Sequence, residues 1–128
     1  MSSTGRCLCG AVRFEVDGPL RDVVLCHCVE CLRWHGGPCP ATAAERDQLR
    51  LVEERGLRWI ESPESDAHAR RGFCGECGSS LFWAAPDRTT ISISAGTLDP
   101  PTGLRTVRQI YTAQAPDWDE VDPSLPSG

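Results

Sequence analysis

Cys7-Leu8-Cys9-Gly10-Ala11-Val12-Arg13-Phe14-Glu15-Val16 joins two cysteines, one residue apart, to a strictly alternating run. Val12, Phe14 and Val16 fall on one face and Arg13 and Glu15 on the other, which is the period of a half-buried strand. Cysteines separated by a single residue in extended chain project to the same side, so both can reach one ion. The stretch predicts a half-buried strand beside a pair of thiols that can share one ion.

The other cysteines extend this pattern. Seven of the eight fall into three groups: Cys7 and Cys9, then Cys26-His27-Cys28-Val29-Glu30-Cys31, then Cys74-Gly75-Glu76-Cys77-Gly78, with Cys39 alone. Leu, Ile, Val and Phe together number 26 of 128 residues, a lean supply for a packed core. Short chains with lean cores need staples, because burial must offset about 1–2 kcal/mol of backbone entropy per ordered residue. The reading is one domain over residues 1–128, with the motifs in about 4–118 and an acidic, Pro-rich tail over 115–128.

The nature of the staples follows from the compartment. Ser2-Ser3-Thr4-Gly5-Arg6 is polar and runs straight into Cys7 without the apolar core of a secretory signal. The longest apolar run, Leu81-Phe82-Trp83-Ala84-Ala85, is far below the roughly 18 residues of a membrane helix. The expectation is a soluble, cytoplasmic protein whose thiols stay reduced, and clustered reduced thiols point to metal rather than disulfides. The formal charge is −5, from 18 acidic and 13 basic residues. Such a balance disfavours nucleic acid as partner. Every base is Arg and there is no Lys, which excludes Schiff-base chemistry.

Further strands are predicted at residues 23–26, 57–60, 81–83, 91–95 and 106–112, with turns at 17–19 and 62–66. The strand, turn and strand over residues 11–26 are expected to bring the first two cysteine groups together. Regular structure is expected to break from Trp34 through Pro38. Residues 41–55 read two ways: their Ala, Glu, Arg and Leu content before Gly56 suits a helix with a glycine stop, while Leu49 and Leu51 alternate with Gln48 and Arg50 as in a strand, and propensity alone favours the helix. Trp118 is expected to pin the tail.

Cys74-x-x-Cys77-Gly78 has the form of a zinc knuckle and supplies two ligands where a structural zinc takes four. Cys7 and Cys9 are the available second pair, and the closed site ties together chain 65 residues apart, from Cys9 to Cys74. Cys26, Cys28 and Cys31 give three thiolates. Three protein ligands and one exchangeable position mark a catalytic zinc, although Cys39, His27 or His35 could close the site instead. A thiol entering the open position binds as thiolate and becomes a nucleophile for a carbonyl.

These residues resemble the glutathione-dependent formaldehyde-activating enzyme family, which also includes centromere protein V. The resemblance runs through Cys7-Leu8-Cys9-Gly10-Ala11-Val12-Arg13-Phe14, Cys26-His27-Cys28-x-x-Cys31, Gly36, Gly72-Phe73-Cys74-Gly75-Glu76-Cys77-Gly78, Gly96-Thr97-Leu98-Asp99 and Ala115-Pro116-Asp117-Trp118. It implies a mainly β architecture, a β-tent fold of antiparallel sheets around zinc, which displaces the helix over 41–55. It implies two Zn2+ per chain, a structural one on Cys7, Cys9, Cys74 and Cys77 and a catalytic one on Cys26, Cys28 and Cys31. The implied reaction adds glutathione, or another small thiol, to formaldehyde or a related aldehyde, giving S-(hydroxymethyl)glutathione. Formally this is a carbon–sulfur lyase reaction run toward addition. Arg70 and Arg71 become candidates for a glutathione carboxylate, against the commoner solvated state of surface arginines. His27 is a candidate to tune the zinc from behind its ligands, against a plain surface histidine, and Trp34 and Trp83 are candidates for a pocket wall, against core packing. The rival readings are a non-catalytic interaction module with two structural zincs and a thiol redox protein that uses Cys39.

Overall fold

A computed structural model of the chain describes residues 2–63 and 65–128. In chain order its strands are β1 (Ser2–Arg6), β2 (Arg13–Asp17), β3 (Val23–Cys26), β4 (Cys39–Glu45), β5 (Leu49–Glu53), β6 (Leu57–Glu61), β7 (Arg70–Cys74), β8 (Ser80–Ala84), β9 (Thr90–Ser94) and β10 (Thr106–Ile110). The single α-helix among the described residues, α1 (Val29–His35), lies between β3 and β4. Three strands form one sheet in the order β1-β2-β5, and seven form the other in the order β10-β3-β4-β9-β8-β7-β6. All pairings are antiparallel except β10 with β3, which is parallel. The mainly β expectation is met. No helix among the described residues is long and apolar enough to cross a membrane.

The alternating run behaves as its period demands. Val12, Phe14 and Val16 are buried and Arg13 is exposed, so one face of β2 packs into a core shared with Leu81, Phe82, Ile91 and Ile93 from β8 and β9. The rings of Phe14 and Phe82 meet edge to face, their centroids 5.3 Å apart, a geometry that adds to area burial. The core therefore lies between the two sheets, and Cys7 and Cys74 are part of it.

Residues 41–55 are mainly strand, as the family resemblance implied against their helical propensity: β4, a 3-10 turn at Arg46–Gln48 and β5 occupy them. β4 lies between β3 and β9 with Thr42, Ala43 and Ala44 buried, and pairing on both edges overrides the helical preference of alanine. Several other expectations need correction. Gly56 is needed for room rather than as a helix stop, since a Cβ there would sit 2.7 Å from Cys74 Sγ and 2.9 Å from Ala11 Cβ. Trp34 and His35 complete α1, and the break falls at Gly36, whose φ of 78° allows its N–H to cap Leu32 O. The first two cysteine groups do not meet, because β2 and β3 belong to different sheets. Of the turn expected at 62–66, Glu64 lies outside the described residues.

Candidate metal centres

The first centre is built from two turns. Cys7 ends the chain leaving β1, and Gly10 (φ 83°) returns its N–H to Cys7 O. Cys74 ends β7, and Gly78 (φ 82°) returns its N–H to Cys74 O. Glycine is required at both positions because the left-handed region excludes most side chains. Main-chain N–H groups of Val12 and Glu76 donate to Cys7 Sγ and Cys74 Sγ at 3.3 and 3.4 Å. The Sγ atoms of Cys7, Cys9, Cys74 and Cys77 lie within 4.8 Å of one another, with Cys7–Cys9 and Cys9–Cys74 both at 3.8 Å. A tetrahedral zinc with Zn–S bonds of about 2.3 Å has ligand sulfurs about 3.8 Å apart. The spacing of these sulfurs fits that ion. The Ser79 hydroxyl beside Cys77 helps hold its thiol down to about 5.

The second centre is local. Cys26 ends β3, Cys28 is the N-cap of α1, and Cys31 sits in the first turn of that helix with its N–H directed at Cys28 Sγ, 3.4 Å away. The three Sγ atoms lie within 4.8 Å of one another. Hydrogen bonds from Cys26 and Cys39 hold Cys31 down to about 2, and the contact with Cys31, with burial, pushes Cys26 and Cys39 up. One thiolate shared among neighbouring thiols is a ready ligand set, since metals bind the deprotonated form. Cys39 pairs with Cys26 across β3 and β4, yet its sulfur stays outside the group of three.

The histidines do not complete the group either. His27 is fully buried rather than a surface residue. Its Nδ1 lies 2.6 Å from Asp119 Oδ2 and its Nε2 3.2 Å from Gln109 Oε1, so both ring nitrogens are engaged away from the sulfurs. Asp119 belongs to the tail, which also runs beside β10: Gln109 N–H donates to Pro126 O, and Tyr111 N–H to Gly128 O. The tail is fastened through Asp119 and main-chain bonds, and Trp118 is 60% exposed and pins nothing. His35 lines the cavity beside the cysteines, where burial lowers its pKa.

That cavity, of about 620 Å³, opens over Cys26, Cys28 and Cys31 and reaches Arg71, Trp83 and Tyr111. Trp83 is therefore a wall residue, with Arg88 stacked over it at 5.0 Å. Trp34 instead packs against Phe73 and donates to Ser80 Oγ at 2.9 Å. Strand alternation in β7 separates the paired arginines. Arg71 is buried in the cavity, while Arg70 is exposed and lies over Trp59 at 5.5 Å. Sequence reasoning missed Ser62, Glu30 and Asp119, which hold Arg71, α1 and His27 in place. No local motif marks them, because their partners lie 9 to 92 residues away in sequence.

The sequence profile of the glutathione-dependent formaldehyde-activating enzyme family matches residues 2–114. No curated protein matches the sequence. The fold is similar to that in the crystal structure of a Rhodobacter sphaeroides protein, 21% identical, with a TM-score of 0.64, covering 98% of this chain and 99% of that one. At that identity the likeness shows the fold alone.

Proposed function

The chain belongs to the glutathione-dependent formaldehyde-activating enzyme family, and from that premise we propose that it is a single-domain, zinc-dependent enzyme of the carbon–sulfur lyase type. It adds a small thiol, glutathione or an analogue, to formaldehyde or another aldehyde in the cytoplasm. Cys7, Cys9, Cys74 and Cys77 hold a structural zinc, and Cys26, Cys28 and Cys31 hold a catalytic one. The observation that carries the reading is the contrast in ligand count and access: three sulfurs grouped at a cavity, with Cys39, His27 and His35 outside the group.

Zinc bound there supplies a Lewis acid that lowers the pKa of an arriving thiol and fixes its sulfur. The chain's own residues do the rest. β3 and α1 fix the positions of the three cysteines. The buried bonds of His27 to Asp119 and Gln109 hold the Cys26–Cys28 turn against β10 and the tail. In the addition the S–H bond breaks, a carbon–sulfur bond forms, the carbonyl π bond opens, and the thiol proton ends on the former carbonyl oxygen. Exchange NMR of formaldehyde with glutathione tests the proposal. Zinc-loaded protein is expected to accelerate exchange over buffer, and Cys28→Ser to abolish the acceleration. No acceleration with glutathione or any alternative thiol would sink the assignment.

A further inference from the structure

One group beside the three cysteines carries a permanent charge and is nearly sealed from solvent. Arg71 is 6% exposed and lines the cavity. Its Nε donates to Ser62 Oγ at 3.0 Å, and Ser62 Oγ in turn donates to Glu30 Oε1 of α1. The guanidinium is thus held in one orientation from the far side. Its two Nη groups make no hydrogen bond or ion pair among the described residues, and neither is an orphaned atom sealed in the core. They reach the cavity.

A guanidinium withdrawn from water is stabilised by anions that offset its lost hydration. Glu30 reaches it only through Ser62 on the Nε side and Cys31 lies beside it, which leaves the Nη edge free to take a further anion from the cavity. The guanidinium's planar fork of donors matches a carboxylate in two parallel bonds. Arg21 and Arg88 also line the cavity, as do Glu30 and Asp66. Arg21 donates to Ala41 O, Arg88 lies over Trp83 and Glu30 accepts from Ser62, so Arg71 is the buried cation whose fork is left for a ligand. Formaldehyde offers no charge to be read, and the selection must fall on the thiol.

We propose that Arg71 is the carboxylate-binding group of this cavity and that the protein selects thiols bearing a carboxylate over neutral or cationic thiols of the same size. The sulfur half of this inference rests on the function proposed above; the anion half rests on Arg71.

Cobalt-loaded protein tests both halves, because a thiolate that joins the metal alters the sulfur-to-cobalt charge-transfer band. The protein is titrated with 3-mercaptopropionate, 2-mercaptoethanol and cysteamine. Arg71→Gln is expected to weaken 3-mercaptopropionate about tenfold or more, the worth of a charge-assisted pair, and to leave 2-mercaptoethanol unchanged. Each thiol is compared with itself in the two proteins, so differences in intrinsic acidity cancel. Equal 3-mercaptopropionate affinity in wild type and Arg71→Gln overturns the inference. Should Arg71→Gln fail to fold, Arg71→Lys keeps the charge without the fork and is expected to lose about threefold. If no thiol perturbs the band, the thiol-binding reading fails. A shift of the Arg71 Nε–H resonance on adding propionate would then uphold the anion site, and its absence would overturn that too.

Discussion

The two cysteine clusters differ in how the chain reaches them and in what lies beside them. Cys7, Cys9, Cys74 and Cys77 come from two glycine-closed turns 65 residues apart, join the core on one side, and number four. Cys26, Cys28 and Cys31 come from six consecutive residues, straddle a strand end and a helix start, number three, and face a cavity. A metal closes a long loop in the first case and almost none in the second, so the entropy it removes from the unfolded chain differs. On the proposed function, the first cluster stabilises the fold and the second does the chemistry.

The largest expected effect comes from exchanging equivalent lesions. Cys74→Ser should abolish the cooperative thermal transition, because a structural zinc supplies on the order of 10 kcal/mol to domains that depend on one. Cys28→Ser should keep the melting temperature within a few degrees, since serine is itself a good N-cap, and should lose activity. Comparable melting by circular dichroism in the two variants would erase the proposed division. Gly56→Ala comes next. Its new Cβ would press on Cys74 Sγ from 2.7 Å, and urea denaturation should show a loss of up to about 3 kcal/mol, with the zinc on the three-cysteine cluster unaffected. Asp119→Ala should cost about 1–2 kcal/mol by leaving a buried His27 nitrogen unpaired. The same change should speed zinc release from the three-cysteine cluster alone, measured with a chromogenic chelator. The smallest effect belongs to Cys39→Ser, which should retain two zincs per chain by elemental analysis; loss of one would make Cys39 a ligand.

Legibility in the sequence followed the reach of each interaction. The strand at β2 and the burial of Val12, Phe14 and Val16 were readable because a period of two is local information. The partition of seven cysteines was readable because ligand count and spacing constrain a tetrahedral ion almost without regard to fold. β1 and β7 were not readable. Ser2–Arg6 and Arg70–Cys74 carry no alternating pattern, and pairing with neighbours makes them strands. The alanines of β4 misled for the same reason, since their environment is set by β3 and β9. His27 with Asp119, and Arg71 with Ser62 and Glu30, depend on the β10 edge and on the helix packing close to β6 and β7. Only the folded chain brings those groups together.

The identity of the fourth ligand beside Cys26, Cys28 and Cys31 decides the account most directly. A crystal structure of the zinc-loaded protein soaked with 3-mercaptopropionate reads it. The account predicts zinc on all three sulfurs with the thiol's sulfur as fourth ligand, and four cysteines alone around the zinc held by Cys7, Cys9, Cys74 and Cys77. Zinc closed by Cys39 or His35, with no thiol bound, would contradict it.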